Sequence, residues 1–154
     1  LNLRKKIINI FKNKKSIQLT IKNYNGENFL FDEKINKYNN IKYIKSGEIK
    51  NLKNEYDLFI LESESTALIE TLCVNKNIIC LQRKFPKLSQ KTFISLKGRV
   101  HFCKNELSFL KKIITETKNI NKRVYNNNFV INNYDLKNIN IENLCYSINL
   151  FIQK

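Results

Sequence analysis

The stretch that decides the fold is YDLFILESESTALIETLCVNKNIICLQ, residues 56–82. Two short apolar runs, at 57–61 and 77–82, lie on either side of a segment with helical spacing. Runs as apolar as these are typical of strands that are covered on both faces. Strand, helix and strand in this order predict a βαβ unit, in which the two strands run parallel.

The same rhythm continues on both sides of this stretch. Runs rich in β-branched and aromatic residues predict further strands at 17–22, 41–45 and 100–103. Apolar residues at helical spacing then predict a helix, with Asn105 as its N-cap and Glu106 in its first turn. The predicted fold class is α/β, with a doubly wound, mainly parallel sheet of five strands and a C-terminal helix.

The sequence predicts a division near residue 118. Residues 1–118 carry all the predicted strands and are expected to form the sheet domain. Residues 119–134 are polar and rich in asparagine, and they predict an irregular arm. The end of the chain predicts an amphipathic helix, so that 119–154 forms an arm and a helix that packs back on the sheet domain. Because the sequence begins with Leu1 and holds no methionine, we expect a fragment whose natural N-terminus lies upstream.

The net charge is +15, from 28 Lys and Arg against 13 Asp and Glu. This balance suits an anionic partner, either nucleic acid or a membrane surface, but drift toward lysine in an AT-rich genome explains it as well. Four cysteines without a paired spacing and a single histidine argue against a metal site and favour reduced thiols. No apolar run reaches the length of about 20 residues that spans a bilayer. We therefore expect a cytoplasmic protein, with peripheral contact to the inner face of the membrane as a further expectation.

A cluster of polar residues follows the strand at 57–61. Ser63, Ser65 and Thr66 lie where a helix begins at the carboxyl end of a strand, which is where open α/β sheets bind their ligands. Hydroxyls beside first-turn amides predict a phosphate site, although helix capping explains one of them equally well. Glu70 lies about one helical turn further on, and we expect it to accept the hydroxyls of a ribose. Its alternative is an ordinary solvated glutamate on the helix surface.

These residues resemble the donor-binding half of GT-B-type glycosyltransferases, and most closely bacterial surface-carbohydrate and CDP-glycerol glycerophosphotransferase-like enzymes. The pattern in such enzymes is an aspartate, an apolar strand, an acidic residue, Ser-x-Ser-Thr, a small residue and a glutamate, followed by Asn-Lys-Pro before the next strand. The residues that stand at these positions are Asp57, Glu62, Ser63, Ser65, Thr66, Glu70, Asn75 and Lys76. Asn77 replaces the proline.

The resemblance implies a Rossmann-like domain that is one GT-B half and that binds a nucleotide-sugar or CDP-glycerol donor. It implies donor phosphate at Ser63, Ser65 and Thr66 and donor ribose at Glu70. Further supporting contacts are expected from Glu62, Lys22, Arg83 and Lys84. The implied reaction transfers a sugar or glycerol-phosphate unit to a cell-surface glycan or lipid-linked acceptor. It needs no cofactor or metal, and the catalytic residues are expected in an N-terminal half that this sequence does not contain.

Two other functions remain open from the sequence. A basic nucleic-acid-binding α/β module would use the net charge, although no RRM, KH or helix-turn-helix signature is present. A sugar-nucleotide epimerase-like domain would share the architecture but would need more acid-base residues than one histidine supplies. His101 itself lies within a predicted strand and is expected to be a packed or edge histidine.

Overall fold

The computed structural model describes residues 2–22, 37–44, 55–72, 76–83 and 88–120. The chain divides into two compact units, Leu1–Glu48 and Ile49–Lys154. The predicted C-terminal helix and nearly all of the predicted arm lie outside the described residues, as do Lys84, Asn75, Cys73 and Cys145.

The first unit combines one helix with two parallel strands. Helix α1 spans Asn2–Phe11, strand β1 spans Leu19–Lys22 and strand β2 spans Ile41–Ile44. The two strands pair in parallel, with Leu19 opposite Ile41. Ile8 of α1 packs against Ile41, and partly buried apolar side chains of β1 and β2 surround the pair.

The side chain of Asn40 connects α1 and the turn after it to the start of β2 through hydrogen bonds. Its side-chain nitrogen donates to the backbone carbonyls of Phe11, Lys14 and Ile17 at 2.9, 3.1 and 3.1 Å. These carbonyls belong to the end of α1 and to the turn that leads into β1, and helix ends leave such carbonyls without internal partners. One amide therefore holds the turn against the residue that precedes β2.

The second unit alternates strands and helices along the chain. Its elements are β3 Leu58–Leu61, α2 Thr66–Leu72, β4 Asn77–Leu81, α3 Gln90–Leu96, β5 Val100–Cys103 and α4 Glu106–Lys118. The strands lie in the order β3-β4-β5, and both pairs are parallel. The βαβ unit predicted from 56–82 is therefore confirmed, and a second one follows it.

Helices cover both faces of this sheet. On one face, Leu68 and Leu72 of α2 and Leu96 of α3 form a buried cluster with alternate side chains of the strands, among them Phe59 and Ile78. Helix α4 lies against all three strands and buries Phe109 and Ile113. The sheet is therefore the middle layer of three, as expected of a doubly wound α/β fold.

The prediction of one five-stranded sheet is wrong for the described residues. Hydrogen bonding joins the strands into two sheets, β1-β2 and β3-β4-β5. The composition of a short run predicts that it will form a strand, but the path of the connecting segments decides which strand it pairs with. The α/β class and the parallel pairing are confirmed.

The turn before β5 contains a buried arginine. Gly98 has a φ of 86°, a conformation that is open to glycine at little steric cost. The next residue, Arg99, is only 4% exposed, and its guanidinium donates to the backbone carbonyls of Lys76 and Thr71. Thr71 lies in the last turn of α2, where a cation is favoured by the helix dipole. Arg99 therefore joins the end of α2 to the start of β4.

Among the described residues, no helix is both long enough and apolar enough to cross a membrane.

Candidate functional site

The carboxyl ends of β3, β4 and β5 meet at one edge of the second sheet. They end at Leu61, Leu81 and Cys103, and because the strands are parallel, the segments that follow them emerge on the same side. The backbone N–H of Gln82 donates to the carbonyl of Cys103 at 2.8 Å, which keeps the chain after β4 beside the end of β5. Ligands of open α/β sheets bind at this edge.

An open pocket of about 310 Å³ lies at this edge. The segments after the three strands and the region around the start of α3 all contribute to its wall. The lining residues are Glu64, Gln82, Arg83, Leu88, Gln90, Phe93 and Lys104.

Glu64 connects two of these segments. Its carboxylate oxygen Oε2 accepts a hydrogen bond of 2.8 Å from the backbone N–H of Arg83. The contact involves the Arg83 main chain, so the exposed guanidinium of Arg83 does not depend on it. Lys104, directly after β5, is also exposed and adds a second cation to the pocket. The pocket thus combines one carboxylate with two positive side chains.

Phe93 forms an aromatic part of the wall. Its ring packs on Phe102 of β5 with 5.1 Å between the centroids and a tilt of 38°. Helix α3, which carries Phe93, is capped by Ser89, whose hydroxyl accepts from the Thr92 backbone N–H at 3.1 Å. The cap and the ring contact together fix where Phe93 enters the pocket.

No family model, curated protein or solved structure matches this chain. The pocket geometry and the sequence pattern of residues 56–82 therefore carry the functional proposal.

The site residues predicted from the sequence lie mostly outside this pocket. Ser63 is buried, and Glu62 and Ser65 are half-buried in the turn between β3 and α2. Thr66 is the exposed first residue of α2, and Glu70 is half-buried within that helix. None of these residues lines the pocket. Their predicted contacts with phosphate and ribose remain predictions.

Arg83 is the one predicted site residue in the described part of the chain that lines the pocket. Lys22 ends β1 in the first unit, and Lys84 lies outside the described residues. Asp57 and Lys76 of the family pattern precede β3 and β4 and lie at the opposite edge of the sheet. There Lys76 Nζ lies 3.4 Å from Asp57 Oδ1, away from the pocket.

Most of the pocket was not predicted from the sequence. The lining residues without a predicted role are Glu64, Gln82, Leu88, Gln90, Phe93 and Lys104. Lys104 comes directly after the predicted strand at 100–103, and Gln82 is the last residue of the predicted strand at 77–82. These positions were the available signal, because the end of a strand fixes the edge at which a residue emerges. Glu64 had no such signal, since only the bend of the turn decides which of its polar residues faces the neighbouring strand.

Two cysteines lie in the strands that lead to the pocket, Cys80 within β4 and Cys103 at the end of β5. Cys80 and Cys103 are buried and form no disulfide. Burial raises the pKa of the Cys80 thiol, and the nearby charge of Glu64 raises it further. Burial also raises the pKa of Cys103. Both stay protonated at neutral pH, and the reactive form of cysteine is the thiolate. Among the described side chains, no three of metal-ligating type come together.

Proposed function

We propose that this chain is the donor-binding half of a transferase that moves a sugar or glycerol-phosphate unit from a nucleotide-activated donor to a cell-surface glycan. The supporting observation is the pocket at the carboxyl edge of a parallel sheet, where the segments after three successive strands meet. The resemblance of residues 56–82 to GT-B donor domains supplies the substrate class.

The charged groups of the pocket suit a diphosphate with hydroxyl groups attached. Arg83 and Lys104 supply cations for the phosphates, and charge-assisted hydrogen bonds of this kind are among the stronger ones. Glu64 supplies an acceptor for sugar hydroxyls. In this proposal Glu64 takes the role that the sequence gave to Glu70, because Glu64 is the carboxylate in the pocket.

The proposed contribution to catalysis is electrostatic. The bond to the leaving phosphate breaks with negative charge developing on its oxygen, and fixed cations at that oxygen lower the barrier. The acceptor-activating base belongs to the other half of such an enzyme. This chain by itself is therefore expected to bind donor without turning it over.

Calorimetric titration of the chain with CDP and UDP tests the proposal. Glu64→Gln keeps an oxygen for the Arg83 N–H but removes the charge, and Arg83→Gln removes a cation. Each lost charge-assisted bond is worth about 1.5–3 kcal/mol, so we expect affinity to fall roughly tenfold to a hundredfold. Lys111→Gln, at an exposed position of α4 away from the pocket, is the matched control and should bind as the original chain does.

A further variant, Glu70→Gln, tests whether Glu64 or Glu70 binds the ribose. Loss of affinity in Glu70→Gln with none in Glu64→Gln would return the ribose contact to the position predicted from the sequence. Absence of binding to either nucleotide would contradict the proposed function.

The partners proposed with this function include an anionic membrane surface. The observation that favours it is the charge of residues 2–22, which have no acidic side chain and carry Arg4, Lys5, Lys6, Lys12, Lys14, Lys15 and Lys22. Basic residues near an anionic surface contribute about 1 kcal/mol each. Co-sedimentation should therefore rise with the phosphatidylglycerol content of vesicles, and binding that is independent of that content would contradict this part.

A further inference from the structure

We propose that the pocket contains a nucleobase subsite, in which the base stacks on Phe93 of α3 and its edge is read by the side-chain amides of Gln90, at the start of α3, and of Gln82, which follows β4. This inference rests on the proposed function and assigns a separate part of the nucleotide to a separate part of the wall.

The charged residues of the pocket wall and the uncharged residues around α3 come from different segments of the chain. The charged residues of the pocket, Glu64, Arg83 and Lys104, all follow the ends of strands. The residues from α3 and the segment just before it are Leu88, Gln90 and Phe93, none of which is charged. A nucleotide has the same division, because its phosphates are charged and its base is a neutral aromatic ring.

Phe93 has the properties of a stacking platform. It is half-exposed in the pocket, and its contact with Phe102 holds the ring in place. Proteins that bind unpaired bases stack them on aromatic side chains of this kind. A ring held by its neighbour loses little freedom when a base binds, so the cost of ordering it is small.

Gln82 and Gln90 supply the hydrogen-bonding groups for a base edge. A glutamine amide carries an acceptor oxygen beside two N–H donors, which matches the neighbouring donors and acceptors of a nucleobase. The main chain of Gln82 is held by its hydrogen bond to Cys103, and Gln90 is the first residue of the capped helix α3. Within the described part of the chain, the structure records no protein partner for either side-chain amide.

Calorimetry with matched ligands tests the subsite. The 154-residue chain is titrated with CDP, UDP, ADP and inorganic pyrophosphate, which shares the phosphates but has no base. We expect at least one nucleotide to bind about tenfold or more tightly than pyrophosphate. Phe93→Leu should lower nucleotide affinity about tenfold and leave pyrophosphate affinity unchanged, and Phe93→Tyr should restore it because the ring is kept.

A second pair of variants tests the proposed contact between the Gln90 amide and the base. Gln90→Ala should change the preference between CDP, UDP and ADP, while Lys91→Ala, at the next exposed position of α3, should not. Both substitutions are at exposed positions, so they report on binding even if Phe93→Leu disturbs the fold.

Two results would overturn the subsite. One is equal affinity for pyrophosphate and all three nucleotides; if that shared affinity falls in Arg83→Gln, a phosphate site stands and the base subsite fails. The other is nucleotide binding that is insensitive to Phe93→Leu and Gln90→Ala. If neither pyrophosphate nor nucleotide binds, the proposed function fails together with the subsite.

Discussion

The side-chain amide of Asn77, the first residue of β4, donates a hydrogen bond of 2.9 Å to the carboxylate of Glu116 near the end of α4. The same carboxylate forms a 2.9 Å ion pair with Lys112, one turn earlier in the helix. Asn77 thus connects β4 to α4, the helix that packs on one face of the sheet. In the pattern that residues 56–82 resemble, this position holds a proline, whose side chain has no such donor.

Replacing Asn77 by aspartate should destabilise the protein. The new carboxylate would face that of Glu116 without a proton to share, and the free energy of unfolding should fall by about 1–3 kcal/mol. Urea denaturation at neutral pH measures the change. Asn13→Asp, at an exposed position of the first unit, is the control and should shift stability by less than about 0.5 kcal/mol. Equal stability of the two variants would mean that the contact with Glu116 contributes nothing.

Arg99→Met should lower stability without affecting the pocket. Methionine fills a similar volume but leaves the Thr71 and Lys76 carbonyls without the guanidinium donors, at a cost of about 1–3 kcal/mol. Denaturation curves of this variant are compared with those of Lys91→Met, an exposed position in α3. Nucleotide affinity measured well below the denaturation midpoint should stay unchanged, since Arg99 lies at the opposite edge of the sheet. Unaltered stability would rule out a structural role for Arg99.

Asn105→Ala should remove the N-terminal cap of α4. The Asn105 side chain accepts from the Ser108 backbone N–H at 2.9 Å, and the Ser108 hydroxyl lies 3.4 Å from the Asn105 backbone nitrogen, which completes a capping box. Loss of such a cap typically costs about 1 kcal/mol. Thermal denaturation followed by circular dichroism measures it. Asn105→Asp keeps an acceptor at the cap and should retain most of the stability; if it loses as much as alanine does, capping is not the reason.

His101 should make stability depend on pH. Partial burial of its ring lowers the pKa of His101 from 6.5, the charge of Lys112 lowers it further, and Glu116 acts in the opposite direction. The unfolded chain therefore takes up this proton at a higher pH than the folded chain does. As the pH falls through 6.5 toward the lowered folded pKa, the free energy of unfolding should decrease. Below the folded pKa, this contribution becomes constant.

Comparison with His101→Gln isolates this contribution. The difference in stability between the two proteins should change between neutral pH and the lowered pKa of His101, and should be constant above neutral pH. An NMR titration of the ring gives the folded pKa directly, and Lys112→Gln should raise it. A difference in stability that is independent of pH would contradict the lowered pKa.

The strands were predictable because their signal is local. The apolar runs at 57–61, 77–82 and 100–103 match β3, β4 and β5 to within one residue at each end, and the Asn105 cap of α4 is confirmed. No helix was predicted between the runs at 77–82 and 100–103, where α3 lies. Its available signal was Ser89, a capping residue placed three positions before Thr92.

Neither the buried face of α4 nor the pocket could be predicted from short stretches of sequence. Leu107 and Ile114 have helical spacing with the rest of the helix, yet they are 65% and 36% exposed, while Phe109 and Ile113 are buried. Which face a helix buries depends on where it docks against the sheet. The pocket also depends on tertiary structure, because Glu64 and Arg83 come together only when β3 and β4 pair.

The strand order of the second unit has a consequence for how the chain folds. Each strand pairs with the next one along the chain, so that Leu58 meets Asn77 and Ile78 meets Val100. During synthesis, which delivers the N-terminal side first, β3 and β4 can pair around α2 before β5 has left the ribosome. The contact between Glu64 and Arg83 is then expected to form on the nascent chain, and the rest of the pocket is added with α3 and with Lys104 after β5.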